Sequence, residues 1–437
     1  MGESAIGVIR VSGPGAVAVV APLVEGPTAL DALDSHHLRR VGLVHPTTRA
    51  PLDEALCAVM RGPRSYTGED VVELSCHGSP ALLRLVVELL LRQGARLAAP
   101  GEFTRRAFLN GRLDLAHAEA VALLISARTE RAVTLAARAL AGGLAQRVRA
   151  MHEALLDVIA GLEVTLDFPE EGVGADVKEA GQLIERLRGE AARLATTARE
   201  GRVVHEGLTV AIVGAPNAGK SGLLNALIGR ERAIVSPLPG TTRDVVEATV
   251  AIAGVPVRLL DTAGLGAARD AVEAEGMRRS RSAIAESNLL ILVVDGSAPP
   301  FSRVTAPKGV PVITVRSKSD LPPHPAAAVR EDAVAVSAIT GEGLDRLTER
   351  LAAAIARCAG DNGDEGAIVA SLRQLELLER LGGLLAGGRL ALSGQPLEVA
   401  LALVDLRGAL QTTAEILGID VGDAVLDRVF STFCLGK

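Results

Sequence analysis

Aromatic residues are scarce in this sequence of 437 residues. They make up 2% of it, with no tryptophan and one tyrosine. Proteins that bind single-stranded nucleic acid usually stack the bases on aromatic side chains, and this sequence offers few such side chains. The sequence also lacks a basic surplus, because its formal net charge is −6. Any nucleic-acid partner therefore needs a local basic patch or a second protein that binds it.

Cysteines and membrane-directing segments are also few. The four cysteines are Cys57, Cys76, Cys358 and Cys434, and no two have the C-x-x-C spacing. We therefore expect neither a disulfide framework nor a structural zinc site. No run of 18 uncharged apolar residues is present, and the start MGESAIGVIRVSG lacks the basic and apolar regions of a signal peptide. These absences favour a cytoplasmic protein without membrane contact.

Apolar residues make up 48% of the sequence, and its length favours two or three domains. Residues 1–113 mix short β-like runs with one apolar helix, Ala81–Gln93, and predict an α+β domain. The β-like runs are Ile6–Val11, Ala55–Met60 and Val71–Ser75.

Long helices are predicted on both sides of the middle of the chain. From 114 to 206 apolar residues recur every three or four positions. Phe168-Pro169 should end one of these helices and Gly201 another. Helical spacing resumes within 358–437, after the polar linker AGDNGDEG. We therefore predict one discontinuous α-helical bundle domain, made of 114–206 and 358–437.

Residues 207–357 alternate between apolar strands and helices, which is typical of a doubly wound parallel α/β sheet. This segment is predicted to be a domain inserted into the helical bundle, since insertions are tolerated where chain ends lie close together. The predicted strands are Thr209–Val213, Val257–Leu260, Leu289–Val294, Val310–Arg316 and Ala333–Val336.

The stretch VAIVGAPNAGKS contains the pattern G-x-x-x-x-G-K-S, from Gly214 to Ser221, between a strand and a predicted helix, Gly222–Ile228. This is the context of a P-loop, whose backbone N–H groups surround phosphates. Lys220 supplies a positive charge to the terminal phosphates, and the Ser221 hydroxyl is a magnesium ligand. The inserted domain is therefore predicted to be a P-loop GTPase of Ras-like fold.

Two later motifs complete the phosphate side of this site. DTAG, Asp261–Gly264, follows a strand, where an acid can hold magnesium through water and a glycine can approach the γ-phosphate. GTTRD, Gly240–Asp244, lies between the P-loop and DTAG and is interpreted as a switch loop, with Thr242 completing the metal shell.

The base is predicted to be guanine. SKSD, Ser317–Asp320, stands where such proteins carry N-K-x-D, so Asp320 can accept from the guanine N–H groups while the stem of Lys318 covers the base. Ser317 lacks the usual amide, and we expect weaker guanine binding; adenine stays an alternative. SAITGEG, which begins with Ser337 and Ala338, suits a backbone contact to the guanine carbonyl.

The catalytic group is less obvious. The residue after DTAG is Leu265, which cannot orient water as the glutamine of Ras-type proteins does. Asp270, Glu273 and Glu275 are carboxylate candidates downstream. Asn217 in the P-loop carries an amide oxygen that can bind a monovalent cation.

Taken together, the chain resembles the MnmE (TrmE) family of bacterial tRNA-modification GTPases over nearly its whole length. The resemblance rests on GEFTRRAFLNGRLDLAHAEAV, GAPNAGKSGLLNAL, GTTRD, DTAGL, SAITGEG and the C-terminal FCLGK. It implies that Asn217, Ser236, Leu238 and Thr241 contribute to a potassium site, and that Glu273 orients the attacking water. The GTP contacts it implies are Asn217, Ala218, Gly219, Lys220, Ser221, Gly222, Ser236, Thr241, Thr242, Asp261, Thr262, Ala263, Gly264, Ser317, Lys318, Asp320, Ser337 and Ala338.

The resemblance also implies the wider function. Family members homodimerise through the N-terminal domain and work with the flavin protein MnmG, which accounts for most tRNA contact. Together they place an aminomethyl or carboxymethylaminomethyl group on C5 of the wobble uridine. The one-carbon unit comes from 5-formyl- or 5,10-methylene-tetrahydrofolate, with contacts implied at Arg10, Glu73, Arg112 and Lys437. Cys434 matches a functional C-terminal cysteine.

Two departures and two alternatives remain. Family members usually carry a further strand and a T-P-P-G-R-G segment before the equivalent of AIGVIRVSG, so we expect either a misassigned start or an incomplete N-terminal sheet and folate pocket. Arg112 stands where lysine is common, which keeps the charge. The alternative functions are a ribosome-assembly GTPase and a GTP-binding scaffold that hydrolyses weakly.

Overall fold

The computed structural model describes residues 3–26, 30–167, 176–230, 247–262, 282–299, 307, 309–325, 332–360, 370–392, 396–419, 422–431, 433 and 436. They form two compact units, one of Met1–Ala122 with Ala414–Lys437 and one of Leu123–Thr413.

The first unit contains a four-stranded antiparallel sheet with strand order β1-β4-β3-β2. Its strands are β1 (Ile6–Ser12), β2 (Leu38–Val44), β3 (Pro51–Met60) and β4 (Val71–His77). Its helices are α1 (Ala16–Val20), α2 (Pro80–Arg92), α3 (Glu102–Leu109), the start of α4 (Leu115–Ser126) and α12 (Asp423–Ser431), with short 3₁₀ turns at Ala21–Leu23 and Leu30–Ala32.

One face of this sheet packs on an apolar core with α2, whose first turn is capped by the Ser79 side chain and opened by Pro80. The other face exposes apolar side chains of three strands: Ile6, Val8, Leu38 and Leu56. Strand β2 was missed by sequence reasoning because its LRRVGLV has no alternation of polar and apolar residues. It is an edge strand whose first three residues are exposed.

The C-terminal helix α12 packs within the first unit. Phe430 and Phe433 join Leu115 and Leu426 in a buried cluster, with the two phenylalanine ring centroids 5.6 Å apart. Arg105 of α3 forms an ion pair of 3.1 Å with an aspartate of α12. Helix α12 and Phe433 are therefore packed against the rest of the first unit.

The second unit contains a six-stranded sheet with order β10-β9-β8-β5-β7-β6. Its strands are β5 (Leu208–Gly214), β6 (Glu247–Ile252), β7 (Val255–Asp261), β8 (Leu289–Asp295), β9 (Val312–Ser317) and β10 (Val334–Ala335). The helices are α5 (Glu130–Leu140), α6 (Gly143–Asp167), α7 (Val177–Glu206), α8 (Lys220–Arg230), α9 (Leu344–Ala359), α10 (Leu372–Ala391) and α11 (Pro396–Leu417).

The five predicted strands are present, but the sheet is not wholly parallel. Strand β6 was not predicted, and it pairs antiparallel with β7 at the edge of the sheet. A tight turn joins the two strands through Ala253 and Gly254, both with positive φ. Such a turn allows a hairpin in which one short apolar segment folds back on the next.

The prediction that Gly201 closes a helix was wrong. Helix α7 continues to Glu206 and ends at Gly207, whose φ is 89°. A glycine inside a helix costs only about 1 kcal/mol, and Gly201 lies buried in a helix of 30 residues. The residues Phe168-Pro169 lie outside the described part of the chain.

Helix α7 packs against α6 and α10 in the helical part of this unit. The predicted fold class is therefore confirmed: an α+β N-terminal part, a helical bundle and an α/β P-loop part. No helix in the described ranges is long and apolar enough to cross a membrane.

Candidate nucleotide-binding site

The P-loop follows strand β5 and leads directly into α8. At Gly214 a Cβ atom would lie 2.3 Å from the carbonyl oxygen of Val293, so this position requires glycine. Asn217 and Gly219 both have positive φ, of 61° and 91°. The loop therefore makes the sharp turn that directs its N–H groups toward a phosphate at the helix N-terminus.

The Lys220 side chain lies along this loop and is buried. Its Nζ donates to the carbonyl oxygens of Ala215, at 2.9 Å, and Gly214, at 3.3 Å. Burial lowers the pKa of Lys220, and the nearby charge of Asp261 partly opposes this shift. The ammonium group is therefore held at the loop by the loop's own backbone.

Ser221 and Asp261 meet beside Lys220. The Ser221 Oγ donates to Asp261 Oδ2 at 2.5 Å. The other carboxylate oxygen, Oδ1, is buried and has no hydrogen-bond partner among the described residues. A hydroxyl and a carboxylate oxygen form the oxygen-rich set that Mg²⁺ prefers, and an unpaired buried oxygen favours a cation. The residues present therefore fit magnesium.

Thr262 has a structural role in this geometry. Its buried hydroxyl donates to the carbonyl oxygen of Ile212 at 2.8 Å, and its backbone N–H donates to the same oxygen. The contact joins the end of β7 to β5, and it fixes the position of Asp261.

The SKSD segment begins at the end of β9. The buried Ser317 Oγ lies 2.6 Å from the carbonyl oxygen of Ala218 in the P-loop and 3.2 Å from that of Val294. Lys318 has a φ of 56°, and its Nζ lies 2.6 Å from Asp295 Oδ2. Asp320 is exposed. Sequence reasoning missed Asp295, although a carboxylate at the carboxyl end of a neighbouring parallel strand is a recognisable signal.

The SAITGEG segment lies next to the start of α8. Ser337 is fully buried, and its hydroxyl accepts from the N–H groups of Ile339 and Thr340. A Cβ atom at Gly222 would lie 3.6 Å from the Cβ of Ala338. The structure thus gathers the P-loop, Asp261, SKSD and SAITGEG at the carboxyl edge of one sheet.

Several predicted site residues lie outside the described part of the chain. They are Ser236, Leu238, Thr241, Thr242, Ala263, Gly264, Glu273, Cys434 and Lys437, together with the carboxylate candidates Asp270 and Glu275.

A second cluster lies in the first unit, around Arg10. Arg10 and Glu73 are opposite each other on β1 and β4, and Arg10 Nη2 lies 2.6 Å from Glu73 Oε1. The guanidinium carbon is 5.6 Å from the ring centre of Phe103 and 5.9 Å from that of Tyr66. Nη1 donates to the carbonyl oxygen of Gly436 at 3.2 Å, so the C-terminal segment reaches this cluster. Sequence reasoning missed the two aromatic residues.

Arg112 is bound to the loop that carries Tyr66. Its Nε donates to the carbonyl oxygen of Ser65 at 3.1 Å. The same loop is held by Arg106, whose Nε lies 2.8 Å from Glu69 Oε2. Arg112 therefore contacts the loop that carries Tyr66, one of the two aromatic residues of the Arg10 cluster.

Comparisons with known proteins cover the whole chain. The family described as GTP-binding protein TrmE N-terminus matches residues 1–112, and the family described as MnmE helical domain matches residues 115–434. A tRNA modification GTPase MnmE from Moorella thermoacetica is 43% identical over 452 residues, which span 100% of this chain and 97% of that protein. A protein of the same name from Thermus thermophilus is 43% identical over 445 residues, with the same coverage of both chains.

Solved structures share less. The structure of an Aquifex aeolicus Era variant bound to GDP·AlF4⁻ is 23% identical over 40% of this chain and 66% of that one, with a TM-score of 0.28. The G domain of the Thermotoga maritima FeoB iron transporter is 26% identical over 35% of this chain and 99% of that one, with a TM-score of 0.25. On the family matches and the full-length relatives, this chain belongs to the MnmE family of tRNA modification GTPases.

Proposed function

We propose that this chain is a potassium-stimulated GTPase that, together with the flavin protein MnmG, adds an aminomethyl or carboxymethylaminomethyl group to C5 of the wobble uridine of tRNA. The full-length relatives are named tRNA modification GTPases, and that activity is extended here to this chain. The observation that carries the proposal is the contact of Ser221 with Asp261 beside Lys220. An ammonium, a hydroxyl and a carboxylate together can bind the phosphates of a nucleoside triphosphate and its metal ion.

The P-loop residues bind and orient the triphosphate. The N–H groups of the loop and of the start of α8 donate to its phosphate oxygens, and Lys220 exchanges its backbone carbonyl partners for the terminal phosphates. Ser221 and Thr242 would hold Mg²⁺ directly, and Asp261 would hold it through water. When bound, the metal would neutralise negative charge that develops on the phosphates.

Hydrolysis is proposed to depend on Glu273 and on a potassium site. Leu265 follows the DTAG motif and has no group that orients water. Among the carboxylates Asp270, Glu273 and Glu275, the resemblance to the MnmE family assigns this role to Glu273. Asn217 lies exposed in the P-loop with a left-handed backbone, which supports its assignment to potassium. The backbone of the Ser236–Thr242 segment completes the assigned site.

Hydrolysis in potassium and in sodium tests this part. GTP turnover is measured at equal ionic strength in KCl and in NaCl, with the Asn217→Ala variant beside the wild type. We expect stimulation by potassium in the wild type and none in the variant. Equal wild-type rates in the two salts would refute the potassium site and leave the GTPase assignment standing.

The Arg10 cluster is proposed to bind a tetrahydrofolate derivative. The Glu73 carboxylate can accept from the amino and ring N–H groups of a pterin, and Tyr66 and Phe103 offer rings against which it can lie. Arg112 and Lys437 are assigned to the negative glutamyl end. The contact of Arg10 with Gly436 supports a place for Cys434 near the one-carbon unit.

A homodimer is proposed through the N-terminal domain, 1–113. The exposed apolar side chains of Ile6, Val8, Leu38 and Leu56 on one sheet face support a second copy as the partner of that face.

The remaining proposed domains are the helical domain, formed by 114–206 and 358–437, and the GTPase domain, 207–357.

The formal charge of −6 supports tRNA contact mainly through MnmG.

Reconstitution of the modification reaction tests the whole proposal. The chain, MnmG with its flavin, tRNA, GTP, Mg²⁺, 5,10-methylene-tetrahydrofolate and an ammonium salt, which supplies the amine nitrogen, are combined in KCl, and the nucleosides are analysed by mass spectrometry. We expect modified wobble uridine only when all components are present. Its formation without GTP or without this chain would refute the proposal.

A further inference from the structure

Asp295 is the last residue of β8 and faces the end of β9, where the SKSD segment begins. Its side chain is only 14% exposed. Its Oδ2 atom lies 2.6 Å from the Nζ of Lys318. Its Oδ1 atom accepts from both the N–H and the hydroxyl of Ser297, at 2.9 and 2.7 Å. Both carboxylate oxygens are therefore engaged, and one of them is committed to the lysine.

This ion pair differs from an ordinary surface pair. Exposed lysine–carboxylate pairs contribute about 0–1 kcal/mol because two long side chains must be ordered and water screens the charges. Here the carboxylate is largely buried and is already oriented by Ser297, so less ordering is required. Burial alone raises the pKa of Asp295, but the contacts with Lys318 and Ser297 outweigh it and hold that pKa below its usual range.

The lysine of this pair also has an unusual backbone conformation. Lys318 has a φ of 56°, in the left-handed region that residues other than glycine seldom adopt. The loop after β8 is tied to the same segment, because Gly296 N–H donates to the carbonyl oxygen of Ser317 at 3.1 Å. A contact that holds the Lys318 amine in place sets the direction of its four-carbon stem.

We propose that Asp295 is a positioning residue for guanine binding: it holds Lys318 so that the aliphatic stem lies along the base and Asp320 follows at the base edge. The inference rests on the proposed role of SKSD in binding guanine. It predicts that Asp295 acts on the base and ribose side of the nucleotide. Loss of Asp295 should therefore lower the affinities for GDP and for GTP by the same factor. The phosphate-side residues Lys220 and Ser221 are unaffected.

Calorimetry with GDP on the full chain tests this proposal. Asp295→Asn and Lys318→Met, which keeps the stem and removes the amine, should each weaken GDP binding by about tenfold, since the ion pair between the two side chains is lost in both. The double variant should bind no more weakly than Lys318→Met alone, because both substitutions remove the same interaction. The loss in Asp295→Asn should be the same for GDP and GTP, since the substitution acts on the base side of the nucleotide.

Two further variants sharpen the outcome. Ser297→Ala removes one hydroxyl donor to Asp295 but keeps the carboxylate and the backbone N–H donor, and should give a smaller loss of the same kind, which also covers the case that Asp295→Asn fails to fold. Glu379→Gln breaks an exposed 2.6 Å contact with Arg199 in the helical part and should leave GDP affinity unchanged. GDP affinity unchanged by Ser297→Ala and Asp295→Asn, or losses that multiply in the double variant, would overturn the inference. A wild type that does not bind GDP would instead refute the proposed function.

Discussion

The Ser317 hydroxyl and the carbonyl oxygen of Ala218 are 2.6 Å apart, and this contact joins the end of β9 to the P-loop. A serine at this position was expected to weaken guanine binding because it lacks an amide. In the structure, the Ser317 hydroxyl nevertheless donates a hydrogen bond directly to the P-loop backbone. The base side and the phosphate side of the site are therefore coupled through one short side chain.

Replacing Ser317 with alanine should uncouple the two sides. The substitution leaves the backbone oxygen of Ala218 without this donor, and an unpaired buried acceptor costs about 1–3 kcal/mol. We expect Kd for both GDP and GTP to rise by about tenfold. Ser319→Ala is the matched control, since the Ser319 hydroxyl has no partner in the described part of the chain. Equal affinities for the two variants would contradict the coupling.

Asp261→Asn should change the magnesium requirement of GTP hydrolysis. The substitution removes the charge that attracts the metal, and we expect half-maximal hydrolysis to need about 10- to 100-fold more Mg²⁺. Without nucleotide and metal, the variant should unfold at the same temperature as the wild type or higher, because Oδ1 of Asp261 is a buried acceptor with no partner among the described residues. Asp345→Asn, which removes a partner of Arg230, is the control. An unchanged magnesium dependence would exclude Asp261 from the metal site.

Much of the nucleotide site could be predicted from the sequence because its strands are short apolar runs, buried on both faces of a sheet and followed by motif residues. Strands β2 and β6 were not predicted, because LRRVGLV in β2 has no alternation of polar and apolar residues and EATVAI in β6 begins with polar and small residues, whereas the edge strands β1 and β10 are apolar runs. Asp295 was missed for a different reason. A single acid after a strand has many possible partners, and only the fold brings it to Lys318.

Arg10→Gln should strongly weaken binding of 5-formyltetrahydrofolate, as measured by calorimetry. Arg10 holds Glu73 and the C-terminal segment together, and its loss leaves a half-buried carboxylate unpaired. Loss of one partner of such a pair costs about 2–5 kcal/mol, which corresponds to at least about 30-fold in affinity. The control is Arg40→Gln, because the ion pair of Arg40 with Glu54, at 3.5 Å, is exposed on the surface. Folate binding by Arg10→Gln at wild-type strength would rule out the Arg10 cluster as the folate site.

Glu273→Ala should abolish GTP hydrolysis but leave binding of GTP and GDP nearly unchanged. Removal of a residue that orients water lowers kcat by about 100-fold or more, whereas the binding contacts lie elsewhere. Glu275→Ala, two residues away, is the matched control and should hydrolyse GTP at the wild-type rate. Loss of nucleotide binding in the Glu273 variant would assign that residue a structural role.

The contact between Asp53 and His77 should make strands β3 and β4 sensitive to acid. The ring Nδ1 of His77 lies 2.6 Å from Asp53 Oδ1, and the backbone N–H groups of His77 and Glu54 donate to the same carboxylate. Burial raises the pKa of Asp53, but these donors together outweigh it and hold the pKa below its ordinary value of 3.8.

A lowered folded pKa means that Asp53 stabilises the fold at pH values above its unfolded pKa, and that this contribution is lost as the pH falls through the folded pKa. Hydrogen-exchange protection of the β3 and β4 amides should therefore decline below about pH 4 in the wild type. In Asp53→Asn protection should be lower at neutral pH and should change less over the same acid range. Asp34→Asn, at an exposed carboxylate, should follow the wild type. Parallel curves for the wild type and Asp53→Asn would show that another group controls the acid response.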